Sequence, residues 1–170
     1  QLCNTLEPRL AVYFSSASTE LRALLTPAMR QQLRADHEVA AELCRKMGMQ
    51  SCKELREATK VSCCEKYLSA ADMETLGLLG SVLSALDTLM VSEYTGAAGL
   101  DGMQRLAEAL GAGALPAVTY LDITSTHVGD AGAEALAAAL GRRALPRLKS
   151  LTLDRVAIGD AGLVALAPAM

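Results

Sequence analysis

The chain has 170 residues, of which 51% are hydrophobic, and a formal net charge of −3. This composition excludes a disordered chain and the basic footprint of a nucleic-acid-binding protein. No apolar run reaches the roughly 18 residues that a membrane-spanning helix needs, so we expect no membrane span. Alanine and leucine dominate the sequence, which has one Phe and no Trp. Such small aliphatic side chains favour thin layers stacked closely, as in helical arrays or solenoids.

Residues 1–85 show helical periodicity and no internal repeat. A first helix is predicted after Ser18, with Pro27 introducing a kink. A second helix is predicted to be capped by Asp36 and to end at Gly48.

Two more helices are predicted before the leucine-rich pattern begins at residue 86. The third opens at Ser51 and includes residues 61–64. The fourth begins with a capping box formed by Ser69 and Asp72. No linker rich in proline, glycine or serine follows. We therefore predict that 1–85 is a helical N-terminal cap, with an independent helical domain as the alternative.

All five cysteines lie in the first half of the chain: Cys3, Cys44, Cys52, Cys63 and Cys64. An odd number outside a small disulfide-rich scaffold predicts reduced thiols in a reducing intracellular compartment, cytoplasmic or organellar. The alternatives are a Cys44–Cys52 or Cys52–Cys63 bridge in an oxidising compartment, and a zinc site. A zinc site has little support because no C-x2-C pair exists and His37 is the nearest histidine.

The second half repeats itself at a nearly constant spacing. A pattern of the form L-x-x-L-x-L, with Val or Ile in place of some leucines, occurs three times, and Val/Ile-Gly-Asp-Ala-Gly occurs at 128–132 and 158–162. The alternating leucines predict a short strand, and the Asp is available to cap the helix that follows. We expect adjacent parallel strands at 86–91, 118–123 and 148–153, with helices near 102–111, 132–141 and 161–169 on the other face.

These motifs resemble the leucine-rich repeats of the ribonuclease-inhibitor subfamily. The resemblance implies an α/β fold: a short solenoid with parallel strands inside and helices outside. It covers about 86–170 as three copies, the last incomplete, after the α-helical cap at 1–85. The family usually places Asn or Cys just after the strand, where this chain has Tyr94, Thr126 and Val156. We therefore expect packing, rather than a side-chain ladder, to hold these turns.

The chain begins with Gln1, and Met170 falls within the third copy, so we expect a piece of a longer array. The last repeat would then present an apolar edge, which further repeats or a partner cover, or through which the chain self-associates. The residues expected at this edge are Leu151, Leu153, Leu163 and Leu166. The leucines expected to face the interior are Leu121, Leu136, Leu151 and Leu166.

No constellation of catalytic residues is found. His37-Glu38 begins like H-E-x-x-H, but position 41 is alanine, so the second metal ligand is missing. The glycine-rich segments lack the spacing of phosphate-binding loops. We predict that the protein is not an enzyme and has no catalytic, cofactor-binding or metal-binding residues and no cofactor.

The remaining candidate is the concave strand face, where the residues between the leucines point outward. We predict a scaffold, adaptor or complex subunit that binds another protein there. The alternative is a regulator of an enzyme, either an inhibitor or a GTPase-activating protein that supplies Arg155 to a transition state. The candidate partner-binding residues are Met90, Glu93, Tyr120, Asp122, Lys149, Thr152, Asp154 and Arg155.

Overall fold

Strands and helices alternate along the chain in the computed structural model, which describes residues 26–92, 99–124 and 127–169. The strands are β1 Lys60–Ser62, β2 Thr88–Ser92, β3 Tyr120–Thr124 and β4 Ser150–Asp154. The helices are α1 Pro27–Lys46, α2 Cys52–Glu57, α3 Ala70–Leu79, α4 Gly99–Gly111, α5 Gly129–Gly141 and α6 Asp160–Leu166, followed by a 3-10 turn at Ala167–Ala169. The strands form one sheet in chain order.

Every neighbouring pair of strands is parallel, as predicted for the three leucine-rich copies. Val61, Leu89, Leu121 and Leu151 lie side by side, one from each strand, although they are far apart in the chain. Strands β2 to β4 begin slightly later than predicted, at Thr88, Tyr120 and Ser150. The leading apolar residue of each copy instead closes a turn, as where Leu86 N donates to Leu83 O at 3.1 Å.

Strand β1 corrects the prediction for the first half of the chain. Residues 61–64 were expected in a helix, but Lys60–Ser62 pairs with β2, and Cys63 N donates to Met90 O at 2.8 Å. Val61 and Cys63 are buried, whereas Lys60 and Ser62 are exposed, which is the alternation of a strand. The sheet thus extends across residue 85, and the division into a cap and repeats stays a prediction.

Helix α1 runs unbroken through the position where two helices were predicted. Thr26 caps it by accepting from Met29 N at 3.2 Å, and Pro27 occupies its first turn, where a missing N–H costs nothing. The predicted kink at Pro27 and cap at Asp36 were therefore wrong. Asp36 is buried within the helix and accepts from Gln32 Nε2 at 2.8 Å. The predicted start at Ser18 lies outside the described residues.

The other helix signals of the first half are confirmed. Gly48, with φ 81°, follows the end of α1, and Ser51 caps α2. Ser69 and Asp72 form the predicted capping box of α3. Asp72 Oδ2 also accepts from Lys46 Nζ at 2.7 Å, so the cap of α3 anchors the last turn of α1.

The Asp72 carboxylate makes the free energy of unfolding depend on pH in the acidic range. Burial raises its pKa, but hydrogen bonds from Lys46 and Ser69 outweigh that effect, and the folded-state pKa lies below the ordinary value. The stabilisation is therefore complete above about pH 4 and is lost as the pH falls through the lowered folded pKa. We expect Asp72→Asn to make the acid-side loss of unfolding free energy shallower in urea titrations. Asp160→Asn, at an exposed site, is the charge-matched control; equal slopes for both variants would contradict this role.

The Gly-Asp-Ala-Gly motif links neighbouring repeats. Asp130 Oδ1 accepts from Gly159 N at 2.7 Å and from Gly162 N at 3.1 Å, both at the start of α6. The predicted cap was therefore wrong: neither α5 nor α6 has a side-chain cap hydrogen bond of its own, and Asp130 binds instead to the start of the next helix. Val156 O also accepts from Val128 N at 3.1 Å. Hydrogen bonds, and not packing alone, hold this turn, while Tyr94 and Thr126 lie outside the described residues.

The apolar residues of the last repeat are buried unequally. Leu121, Leu136 and Leu166 are interior as predicted, so Leu166 does not belong to the exposed edge. Leu151 was also expected inside but is half-buried, because β4 has a paired strand on one side only within the described sheet. Leu163 is 57% exposed.

Candidate interaction site

Along each strand, side chains on one face of the sheet alternate with side chains that are buried in the core. In β2 and β3 the inward residues are buried and the outward residues are half-buried. The pleat of a strand dictates this division, since successive side chains point to opposite faces. We call the outward set the polar strand face; its members are Thr88, Met90, Ser92, Tyr120, Asp122, Thr124, Ser150, Thr152 and Asp154.

The parallel register arranges these side chains in rows across the strands. The middle row places Ser62, Met90, Asp122 and Thr152 side by side, one from each strand. Neighbouring strands lie roughly 4.8 Å apart, so the row spans roughly 14 Å. A hydroxyl, a thioether and a carboxylate thus lie within reach of one peptide segment.

Hydrogen bonds within the face hold its central side chains. Tyr120 Oη lies 3.5 Å from Thr152 Oγ1, so the Tyr120 side chain reaches across to β4. Thr124 Oγ1 donates to Asp122 Oδ1 on the same strand. A side chain held in this way loses less conformational entropy on binding than a free one.

Both signs of charge flank the face at β4. Lys149 and Arg155 are exposed immediately before and after this strand. Arg155 Nε lies 3.7 Å from Asp154 Oδ2, and the Arg155 backbone is left-handed with φ 54°. The end of β4 therefore presents a carboxylate beside a guanidinium.

Most of the predicted binding residues are brought together. Five of them lie on the polar strand face: Met90, Tyr120, Asp122, Thr152 and Asp154. Lys149 and Arg155 flank β4, whereas Glu93 lies outside the described residues. Sequence reasoning missed the contribution of β1, which adds Lys60 and Ser62. The signal was the alternation of polar and apolar residues over 60–63.

Within 26–92, 99–124 and 127–169, no three His, Cys, Asp or Glu side chains group as metal ligands. Among the helices described, none is long and apolar enough to cross a membrane.

A family model described as Leucine Rich repeat matches residues 115–137, a span that includes β3 and the first part of α5. No match was found among curated proteins or among solved structures. The match supports a leucine-rich repeat protein, and the parallel strands alternating with helices fit an α/β repeat solenoid. A leucine-rich repeat suggests a protein–protein interaction module.

Proposed function

We propose that this chain is a non-catalytic protein-binding module, a scaffold, adaptor or subunit of a larger complex, that binds its partner on the polar strand face. The observation that carries the proposal is the ordered set of side chains on adjacent strands, in which Tyr120 of β3 reaches Thr152 of β4. Tyrosine and arginine are enriched among the residues that dominate binding energy at protein interfaces, and Arg155 borders this face.

The chemistry of the face favours a polypeptide ligand. Its hydroxyl groups donate and accept, its carboxylates at Asp122 and Asp154 accept, and Met90 and Tyr120 supply apolar contact area. A peptide carries backbone donors and acceptors along its length, so it matches such a mixed surface. Lys149 and Arg155 add contacts for acidic side chains.

Site-specific photo-crosslinking tests where the partner binds. A photoreactive amino acid at Tyr120 is expected to capture a partner protein in a lysate of the source organism. The matched control is Gln104, an exposed residue of α4 on the helical side. Capture from Gln104 but not from Tyr120 would contradict the proposal.

Affinity for that partner gives a quantitative check. Tyr120→Ala is expected to weaken binding at least about tenfold, as truncation of an interface anchor costs about 2 kcal/mol or more. Gln104→Ala is expected to leave the Kd unchanged. Far-ultraviolet circular dichroism and thermal unfolding of both variants confirm that the fold is intact. Equal Kd values for the two variants would place the binding surface elsewhere.

We further propose which subfamily the repeats belong to, and what covers the side of β4 that has no paired strand in the described sheet. The nearly constant spacing of the strand–helix units supports repeats of the ribonuclease-inhibitor type. We also infer that further repeats or a partner cover the last unit, because Leu163 and Val164 are 57% and 73% exposed. Leu151 and Leu153 are only half-buried, whereas their neighbours Leu121 and Ile123 are buried.

The exposed position of Arg155 favours a second candidate, a regulator of an enzyme. A guanidinium at the border of the face is the group that a GTPase activator supplies in trans. Its proximity to Asp154 argues for a structural role instead. A GTP-hydrolysis assay comparing the unaltered chain with Arg155→Ala separates the two functions.

A further inference from the structure

We propose that Cys44 and Cys52 are a redox modification site, at which a hydroperoxide drives a reversible intramolecular disulfide. Cys44 lies near the end of α1, and Cys52 is the first residue of α2. Their sulfur atoms are 3.8 Å apart in the reduced protein. A disulfide has a sulfur separation of about 2.05 Å, so bond formation brings the two sulfur atoms about 1.8 Å closer.

The turn between the helices keeps the two thiols opposed. Met49 N donates to Cys44 O at 2.8 Å, and Gly48 takes a left-handed backbone conformation. Ser51 then caps α2 by accepting from Glu54 N at 3.2 Å. These interactions fix the chain reversal that brings the start of α2 against the end of α1.

The two sulfur atoms have different reactivity. The Cys44 thiol donates to Cys52 Sγ, which lowers the pKa of Cys52 and raises that of Cys44. Burial opposes the shift at Cys52, and His37 reinforces it, while Glu54 adds to the increase at Cys44. In the proposed reaction we therefore assign Cys52 as the thiolate nucleophile and Cys44 as the thiol that resolves the intermediate.

The third buried cysteine does not compete for this role. Cys63 Sγ contacts Met47 Sδ at 3.9 Å. Burial raises the pKa of Cys63 to about 12, so its thiol stays protonated. Because Cys63 Sγ contacts Met47 Sδ while Cys52 Sγ contacts Cys44 Sγ, the geometry favours the Cys44–Cys52 pair over the Cys52–Cys63 bridge that the sequence left open.

The reaction balances with hydrogen peroxide as the oxidant. The Cys52 thiolate attacks one peroxide oxygen, the O–O bond breaks, and a sulfenic acid and hydroxide form. Hydroxide takes the proton of Cys44 and becomes water. The Cys44 thiolate then attacks the Cys52 sulfur, forming the S–S bond and breaking the S–O bond. The hydroxide that leaves is protonated by solvent, so two thiols and one peroxide give a disulfide and two waters.

Peptide mapping of the full chain tests the pairing directly. The reduced protein is treated with hydrogen peroxide, alkylated and digested with trypsin. This digestion places Cys44 on peptide 35–45, Cys52 on 47–53, Cys63 and Cys64 together on 61–66, and Cys3 on 1–9. We expect 35–45 linked to 47–53, and release of both by a reductant. Linkage to 61–66, or oxidation of Cys52 without linkage, would overturn the proposal. Because the unaltered protein is mapped, the result does not depend on whether a variant folds.

Variants and melting temperatures test the order of the steps and their consequence. In Cys44→Ser the sulfenic acid on Cys52 should persist and be trapped by dimedone, whereas Cys64→Ser, the control, should form the disulfide normally. Peroxide treatment should raise the melting temperature by roughly 5 °C in the unaltered protein and in Cys64→Ser, because the disulfide closes the turn between α1 and α2. It should not raise the melting temperature of Cys44→Ser. A peroxide-induced increase in Cys44→Ser, or no increase in the unaltered protein, would count against the bond as the cause.

Discussion

Leu121→Ala is expected to lower the free energy of unfolding by about 2–5 kcal/mol, the range for a fully buried leucine. Leu121 is 0% exposed and lies in β3 between Leu89 and Leu151. Alanine there removes apolar contacts and leaves a cavity beneath the helices, which neighbouring strands cannot fill without losing their register. Urea unfolding followed by far-ultraviolet circular dichroism measures the loss.

Leu151→Ala is the matched comparison, because it makes the same chemical change one strand away. Leu151 is half-buried at the edge of the described sheet, so less apolar contact is lost and a smaller cavity remains. We expect its cost to be clearly below that of Leu121→Ala. Equal losses, or a loss under about 0.5 kcal/mol for Leu121→Ala, would contradict the burial described for these strands.

Gly77→Ala is expected to destabilise the protein by about 1–3 kcal/mol, which reverses the usual sign of this substitution in a helix. Gly77 lies in α3, where a Cβ atom would overlap Ala109 Cβ of α4. The two helices would have to separate, which disturbs the core beneath them. Thermal and urea unfolding of the variant give the loss.

The control for Gly77 is a helical glycine with free space around it. A Cβ at Gly141, the last residue of α5, meets nothing within 4 Å. Gly141→Ala is therefore expected to be neutral or to stabilise by up to about 1 kcal/mol. Ala109→Gly should recover part of the stability lost in Gly77→Ala, since it removes the opposing methyl group. Stabilisation by Gly77→Ala would show that α3 and α4 are not in close contact.

The repeats were predictable because each copy uses the same residues for the same physical task. Alternating leucines identify a strand with one buried face, and the regular spacing places successive strands side by side. The strand of the first unit, β1, was not predicted, because Ala58, Val61 and Cys63 occupy the inward positions of this unit instead of leucines. Burial requires an apolar side chain of suitable size, not a leucine, so a search for the leucine pattern misses such a strand.

Local signals failed where the tertiary environment decides the outcome. Pro27 is compatible with a kink and with a first helical turn, and the cap at Thr26 selects the second. Asp36 has the side chain of a cap but lies in mid-helix, paired with Gln32. Capping residues identify a helix start only when the backbone before them is not itself helical.

In the candidate site, too, the sequence pattern predicts some features, whereas the tertiary structure decides others. Alternation alone predicted which residues of β2 to β4 face outward, including Met90, Asp122 and Thr152. The contact between Tyr120 and Thr152 depends on register and rotamer, which no sequence period encodes. The opposed thiols of Cys44 and Cys52 depend on the path of the turn between two helices.

The two hydrogen bonds that Asp130 accepts from the start of α6 affect the order in which the repeats unfold. Its acceptor belongs to the unit of α5, while both donors belong to the start of α6, where Gly159 offers no side-chain cap of its own. Fraying of α6 therefore leaves the unit of α5 with its own backbone hydrogen bonds, whereas opening of α5 also removes the cap of α6. The dependence is thus directional at these two helix starts: α6 can fray without removing a side-chain cap from α5, but opening of the start of α5 removes the hydrogen bonds that Asp130 makes to α6.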